Sequence, residues 1–161
     1  MIRINDTLFG ELNYEKNYWS GKTNIQIFNI NMEIVLSVDG HETADFSNIQ
    51  RESFRNFQKD MENIMDKVEQ QIYKYYCDNF EEYREMLENE TEADKLVPKI
   101  DSVTNLKKLV KPKQLIVRRT RKNGKRRLGL LCDVTWDMEN GLGVKIEDES
   151  VEEVGYQDIV L

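Results

Sequence analysis

The sequence predicts an α+β fold: an antiparallel, curled β-sheet, made of an N-terminal hairpin plus a C-terminal meander, packed against one long amphipathic helix and shorter helices. Three observations lead there. Apolar residues alternate near both ends of the chain, they recur at steps of three and four between Phe54 and Tyr76, and Asn-Gly pairs punctuate the C-terminal third. A length of 161 residues fits a single domain, 1–161. Such a domain buries roughly 70% of the surface of its unfolded chain, so its core needs no metal or disulfide.

From Ile2 to Val38 the pattern is short and β-like. Thr23 to Phe28 form one run, and Ile34, Leu36 and Val38 alternate with Val35 and Ser37 beyond an Asn-rich link at Asn29 to Asn31. Two or three antiparallel strands are expected, ending at Asp39-Gly40. Ser47-Asn48 stands where a helix cap belongs. Phe54, Phe57, Met61, Ile64, Met65, Val68, Ile72, Tyr75 and Tyr76 then form the buried stripe of one long helix, with Lys59, Asp66, Glu69 and Lys74 among its solvated residues. Phe80, Tyr83 and Leu87 continue the helical pattern into Glu88 to Glu92, read as a charged loop. Pro98 and Pro112 bracket a short helix whose apolar stripe is Leu106, Leu109 and Val110.

The last fifty or so residues return to alternation. A two-residue Asn123-Gly124 loop of type I′, whose central positions both need positive φ, would pair Lys122 with Lys125, Arg121 with Arg126, Val117 with Leu130 and Leu115 with Cys132. One face then gathers Leu115, Val117, Leu128, Leu130, Cys132, Val134 and Trp136, while Arg118, Asp133, Thr135 and Asp137 take the other. At the next bend a three-residue loop with Gly141 in the left-handed region pairs Trp136 with Val144 and sends Leu142, Val144 and Ile146 to the core face. A last strand at Val151 to Val154 follows the Asp148-Glu149 turn, and Gly155 frees the chain to tuck in its final residues.

Composition narrows the function classes. There are 23 Lys and Arg against 30 Asp and Glu, a net charge of −7, and 39% of residues are apolar, which fits an ordinary acidic globular protein. Cys77 and Cys132 lie in different elements without redox or zinc spacing, so two reduced, packed cysteines are expected. Met1 to Asp6 lack a signal core and no apolar run reaches membrane-spanning length, so the reading is cytoplasmic with no membrane role.

The stretch Trp136-Asp137-Met138-Glu139-Asn140-Gly141-Leu142-Gly143-Val144, followed by Val154-Gly155-Tyr156-Gln157-Asp158, resembles the C-terminal signature of an uncharacterised family of small bacterial proteins. Gln50 near the helix start also fits that family's layout. The resemblance covers residues 128 to 161 closely and the remainder loosely. Some members resemble proteins encoded near polymorphic toxin genes, so the resemblance implies an immunity role, with a cognate toxin, a nuclease among the options, as the partner. The residue before Gly-Leu-Gly is often His in that family, whereas here it is Asn140. Asn tolerates positive φ and so keeps the turn, but it removes a group that would titrate near neutral pH.

Three constellations bear on chemistry, each with a plainer reading beside it. Asp137 and Glu139 are spaced as a carboxylate pair or metal site would be, or Asp137 simply accepts backbone N–H groups in the turn while Glu139 is solvated. The only histidine, His41, falls in a turn where exposure is expected. The hairpin 118–127 holds seven positive charges and no negative one, and like charges facing each other across a ladder cost up to ~1 kcal/mol per pair. It is either a solvated tip with intramolecular acidic partners or a contact for an acidic partner. Nucleic acid is disfavoured there, because no aromatics are interleaved for stacking. Glu81 to Asp94 and Glu147 to Glu153 are acidic surfaces, solvated faces or attractants for a basic partner.

The combined expectation is a non-catalytic binding protein, monomeric or a weak homodimer, without cofactor or metal. Arg118, Arg121, Lys122, Lys125, Arg126, Glu147, Asp148 and Glu149 are the candidate partner contacts, while Trp136, Asp137, Glu139, Asn140, Gly141 and Gly143 form the signature turn. Two alternatives stay open: a small nucleic-acid or anionic-ligand module using the hairpin 118–127, and a metal-dependent enzyme using Asp137 and Glu139.

Overall fold

The computed structural model describes residues 2–161. Eight strands form one sheet in sequence order: β1 Arg3–Asp6, β2 Gly10–Glu15, β3 Tyr18–Ile27, β4 Ile30–Asp39, β5 Val110–Arg118, β6 Arg127–Val134, β7 Leu142–Glu147 and β8 Ser150–Gly155. Between β4 and β5 lie three helices, α1 Asn48–Lys59, α2 Met61–Glu85 and α3 Glu90–Leu96, and a 3-10 helix at Val103–Lys108. The α+β expectation holds, and the sheet is mostly antiparallel and curled without closing. One pair departs from it: the long helical crossover returns β5 parallel to β4, with Leu36 beside Leu115 and Val38 beside Val117.

The N-terminal region holds four strands rather than two or three. β1 and β2 escaped the alternation because their sequences, RIND and GELNYE, contribute only Leu12 to the fully buried core. Their turn is set by Asp6, whose carboxylate accepts the N–H groups of Leu8 and Phe9 at 2.8 and 2.9 Å. Phe28 and Asn29, both at positive φ (51° and 62°), make a two-residue turn between β3 and β4. A phenylalanine is strained there, and two contacts hold it: its ring is buried and its N–H is bonded to Glu69 at 3.0 Å.

Ser47 caps the helical layer as expected. Its hydroxyl accepts from the N–H of Gln50 at 3.1 Å while the Gln50 side chain accepts from the N–H of Ser47 at 2.9 Å. The expected single helix is broken at Asp60, which has φ −116° and ψ 27° and closes α1 while opening α2. Apolar periodicity runs through the break, so only the local polar side chain marks it, and Asp60 accepts from Asn63 Nδ2 at 2.7 Å. The segment read as a charged loop begins α3, capped by Asn89, which accepts the N–H of Glu92 at 2.8 Å. Val110 belongs to β5, and Pro112 sits at a bulge in that strand rather than flanking a helix.

The core face of the C-terminal sheet is the expected one: Leu115, Val117, Leu128, Leu130, Cys132, Val134, Trp136, Leu142, Val144 and Ile146 are all buried. The pairings differ. Val117 faces Leu128, not Leu130, and β6 begins only at Arg127, so Lys122 and Lys125, or Arg121 and Arg126, are not rungs of a ladder. Residues 119–126 form a loop turned at Gly124, which alone of the Asn-Gly pair has positive φ (71°). Likewise Leu130, not Trp136, faces Val144, and the connection between β6 and β7 runs from Thr135 to Gly141. Both slips are even in residue number, which is why no side chain changed face.

Candidate functional site

Residues 136–143 build a joint, and three glycines show how. The Asp137 carboxylate accepts the N–H of Asn140 at 3.1 Å and the Asn140 amide at 3.0 Å, while the N–H of Gly141 donates to the Asp137 carbonyl at 3.0 Å. Gly141 has φ +62°, the left-handed value expected of it. Beyond β8, residues 156–161 fold back over the outer face of the sheet as a strap ending in a 3-10 turn, Gln157–Val160. Gln157 ties it down by donating its N–H to the Asn140 carbonyl at 3.1 Å and its side-chain amide to the Cys132 carbonyl at 2.9 Å. The strap needs room. A Cβ on Gly143 would stand 2.7 Å from the Tyr156 carbonyl oxygen, and one on Gly129 would stand 2.7 Å from Val160 Cβ. Under it Ile116, Leu131 and Val160 form a small second core.

Trp136 closes the joint from the inside, 5% exposed and set edge-on against Tyr76 with ring centroids 4.9 Å apart. Its indole N–H has no acceptor, whereas neighbouring Tyr75 and Tyr83 bond hydroxyl to hydroxyl at 2.8 Å. Burial pushes the Tyr83 and Tyr76 phenols above their ordinary range, so this cluster stays neutral. Glu139 and Met138 lie exposed on the outside of the bend. The Asp137 carboxylate is engaged by Asn140 in the turn, while the Glu139 side chain is exposed. Among the described residues, no three His, Cys, Asp or Glu side chains are grouped as metal ligands.

Gln50 holds a second junction, where the parallel strands end. It is 2% exposed, and its side-chain amide donates to the Asp39 carbonyl at 2.8 Å and more distantly to the Val117 carbonyl at 3.4 Å. On the other face Arg118 reaches the Asp39 carboxylate at 2.9 Å and also donates to the Val160 carbonyl, linking the junction to the strap. Gln50 therefore joins the helix start to the parallel pair, and Arg118 joins that pair to the strap.

The basic hairpin meets acids that were not visible as its neighbours. Arg126 chelates Glu149 at 2.8 and 2.9 Å and lies near Asp148 and Glu52; Lys125 pairs with Glu147, Arg119 with Asp45 and Arg118 with Asp39. Six carboxylates thus pair with four of the seven cations, which leaves the tip and its acids together close to neutral. The Arg126 guanidinium also secures the β7–β8 turn, where Asp148 and Glu149 both take positive φ. Of the candidate contacts, Arg118, Lys125, Arg126, Glu147, Asp148 and Glu149 are brought together as this network. Arg121 and Lys122 stand outside it at the exposed end of the loop.

The acidic residues between Glu81 and Asp94 have no such counterweight. Seven carboxylates share this stretch with one base, Arg84, which is itself bound to the Val97 carbonyl and to Asp94, both at 2.7 Å. The residues cover the end of α2 and all but the last turn of α3, and Met86 stands 66% exposed among them. His41 is exposed as expected. Cys132 is buried, which raises its thiol pKa, but Cys77 is exposed on α2 rather than packed. No helix among the described residues is long and apolar enough to cross a membrane.

A family model described as "Domain of unknown function (DUF6985)" matches residues 8–161. No curated protein and no solved structure matches the chain.

Proposed function

The chain belongs to the DUF6985 family, whose function is unknown, and from that premise we propose that it is a non-catalytic binding protein, an immunity protein that holds a basic bacterial toxin on the acidic corner formed by the end of α2 and by α3. One observation carries the reading. Seven carboxylates and one base give residues 81–94 a charge of −6, against −7 for the whole chain. Folding accounts for part of it, since Glu90 and Glu92 suit the first turn of α3 and Asp94 pairs with Arg84, but not for the acids on α2. Glu81, Glu82 and Glu85 lie in the last turns of α2, at the negative end of its dipole, where each acid costs a few tenths of a kcal/mol. Glu81 and Glu85 are also like charges four residues apart, a further cost of about 0.2–0.5 kcal/mol.

A concentrated negative surface accelerates encounter with a cationic cleft by roughly 10–1,000-fold and can occupy sites made for phosphate, so a nuclease is the toxin class that fits best. Exposed Met86 supplies an adaptable apolar contact amid the charge. Arg121 and Lys122, left out of the network at the tip, offer a second contact for carboxylates on the same partner. The six carboxylates around that tip oppose phosphate, which sets a nucleic-acid role behind this one.

Co-expression with a toxin-like reading frame beside its gene tests the proposal. The native chain should form an isolable complex and relieve growth inhibition, and replacing Glu81, Glu85 and Glu88 with Lys should abolish both while leaving the fold intact by circular dichroism. A complex indifferent to the triple replacement, or no complex with such a product, would overturn it.

A further inference from the structure

A groove of about 510 Å³ opens where the 3-10 helix runs into β5 and β6 leaves the sheet. Met32, Leu96, Leu109, Val110 and Val134 make its apolar floor, and Met138, 84% exposed, overhangs it. Backbone bonds fix its walls: Thr135 donates its N–H to the Leu109 carbonyl at 2.9 Å and its hydroxyl to the Leu96 carbonyl at 2.8 Å. The site is therefore preformed, in the size range of small-molecule pockets.

Its rim is basic in a chain of net charge −7. Lys107, Lys108 and Lys111 all line the groove and are exposed, and none has a carboxylate within ion-pair distance among the described residues. The one carboxylate on the lining, Asp133, is paired with Lys113 at 3.6 Å. At the tip, by contrast, Arg118, Arg119, Lys125 and Arg126 are matched by acids, while Arg121 and Lys122 are not. Lys107 and Lys108, with Lys111 opposite Asp133 across the β5–β6 ladder, set ammonium groups beside apolar surface whose accessible part is Met138 with half-buried Met32 and Leu96, complementary to a ligand that is apolar along its body and anionic at one end.

We propose that this groove binds a free amphipathic carboxylate of the fatty-acid class, its chain along Met32, Leu96 and Met138 and its carboxylate against Lys107, Lys108 and Lys111. Met32 and Met138, unbranched and flexible, let the floor and overhang adapt to chain length. The site uses none of the residues assigned to the basic partner, so either assignment can fail without the other.

Calorimetric and NMR titration of the full chain with monomeric decanoate tests it, with decyltrimethylammonium as the control of equal chain and opposite charge. Decanoate should bind saturably at one equivalent, shift resonances of residues lining the groove, and tighten by up to about fourfold for each methylene gained over octanoate. Replacing Lys107, Lys108 and Lys111 together with Gln should weaken it by about tenfold or more, with the fold checked by circular dichroism; Glu is avoided because at Lys111 it would face Asp133 across the ladder. No saturable binding, equal binding of the cationic control, or indifference to the triple replacement would overturn the assignment. So would association with anionic lipid vesicles without uptake of monomeric decanoate, which would make the lysines a membrane contact.

Discussion

Gly129→Ala isolates the fit between strap and sheet. The new methyl would sit 2.7 Å from Val160 Cβ and 3.2 Å from both Val160 methyls, where ordinary carbon contacts are about 3.5–4.0 Å. Something must move by nearly an ångström, and the strap is the weaker side because β6 is paired on both edges. Overpacking of this kind costs about 1–3 kcal/mol, so about 2 kcal/mol is expected. Val160→Gly alone should cost a similar 2–3 kcal/mol by removing a buried valine side chain from Ile116 and Leu131. In the double variant the alanine methyl enters the space the valine vacates. Its loss should match that of Val160→Gly alone, a coupling of about 2 kcal/mol measured by urea unfolding of the four proteins. Additivity to within about 0.5 kcal/mol would mean that Gly129 and Val160 do not meet, and the strap would not be docked as described.

Two further outcomes follow from buried polar groups. The Arg51 guanidinium, 2.8 and 2.9 Å from the Asp6 carboxylate, holds its pKa at about 2 instead of 3.8, with help from the N–H groups of Phe9 and Leu8 and against the opposing effect of burial. Because the folded value is the lower one, this stabilisation of about 2 kcal/mol is present above about pH 4 and is lost as the pH falls through about 2. The stability gap between the native chain and Asp6→Asn should therefore close over that window, and a gap independent of pH would contradict the assignment. Gln50→Leu removes the amide from the Asp39 carbonyl and half of the Ser47 capping box, and should cost about 2 kcal/mol in chemical denaturation. A change below about 0.5 kcal/mol would deny Gln50 its role at the junction.

Much of this architecture could be read from pattern alone, and the failures have particular causes. Pleat parity placed ten buried side chains on the correct face between Leu115 and Ile146 even though both hairpin registers were displaced, because an even slip leaves every residue facing the same way. The displacement at Asn123-Gly124 came from treating the loop as a tight turn. Its arginines and lysines instead leave the ladder to meet Asp39, Asp45, Glu52 and Glu147 to Glu149, acids that are distant in sequence and could not be identified as neighbours. Asp137, Asn140 and Gly141 were legible as a turn because an Asx bond is local. The use of Gly129 and Gly143 as clearance was not, since the strap they admit is contacted only through tertiary structure. Ile116 and Leu131, on the face read as polar, were the one signal that something covers it. Ser47 and Gln50 announced the helix start, whereas Gln50 bonds to two strand ends across long sequence separations.

The salt dependence of association with the cognate partner tests the central claim most directly. If the surplus charge of residues 81–94 steers the encounter, the association rate constant of the native chain should fall steeply with ionic strength. Replacing Glu81, Glu85 and Glu88 with Gln should lower that rate constant at low salt and flatten its dependence. An unchanged rate and an unchanged salt slope in the substituted chain would show that the acidic corner does not face the partner.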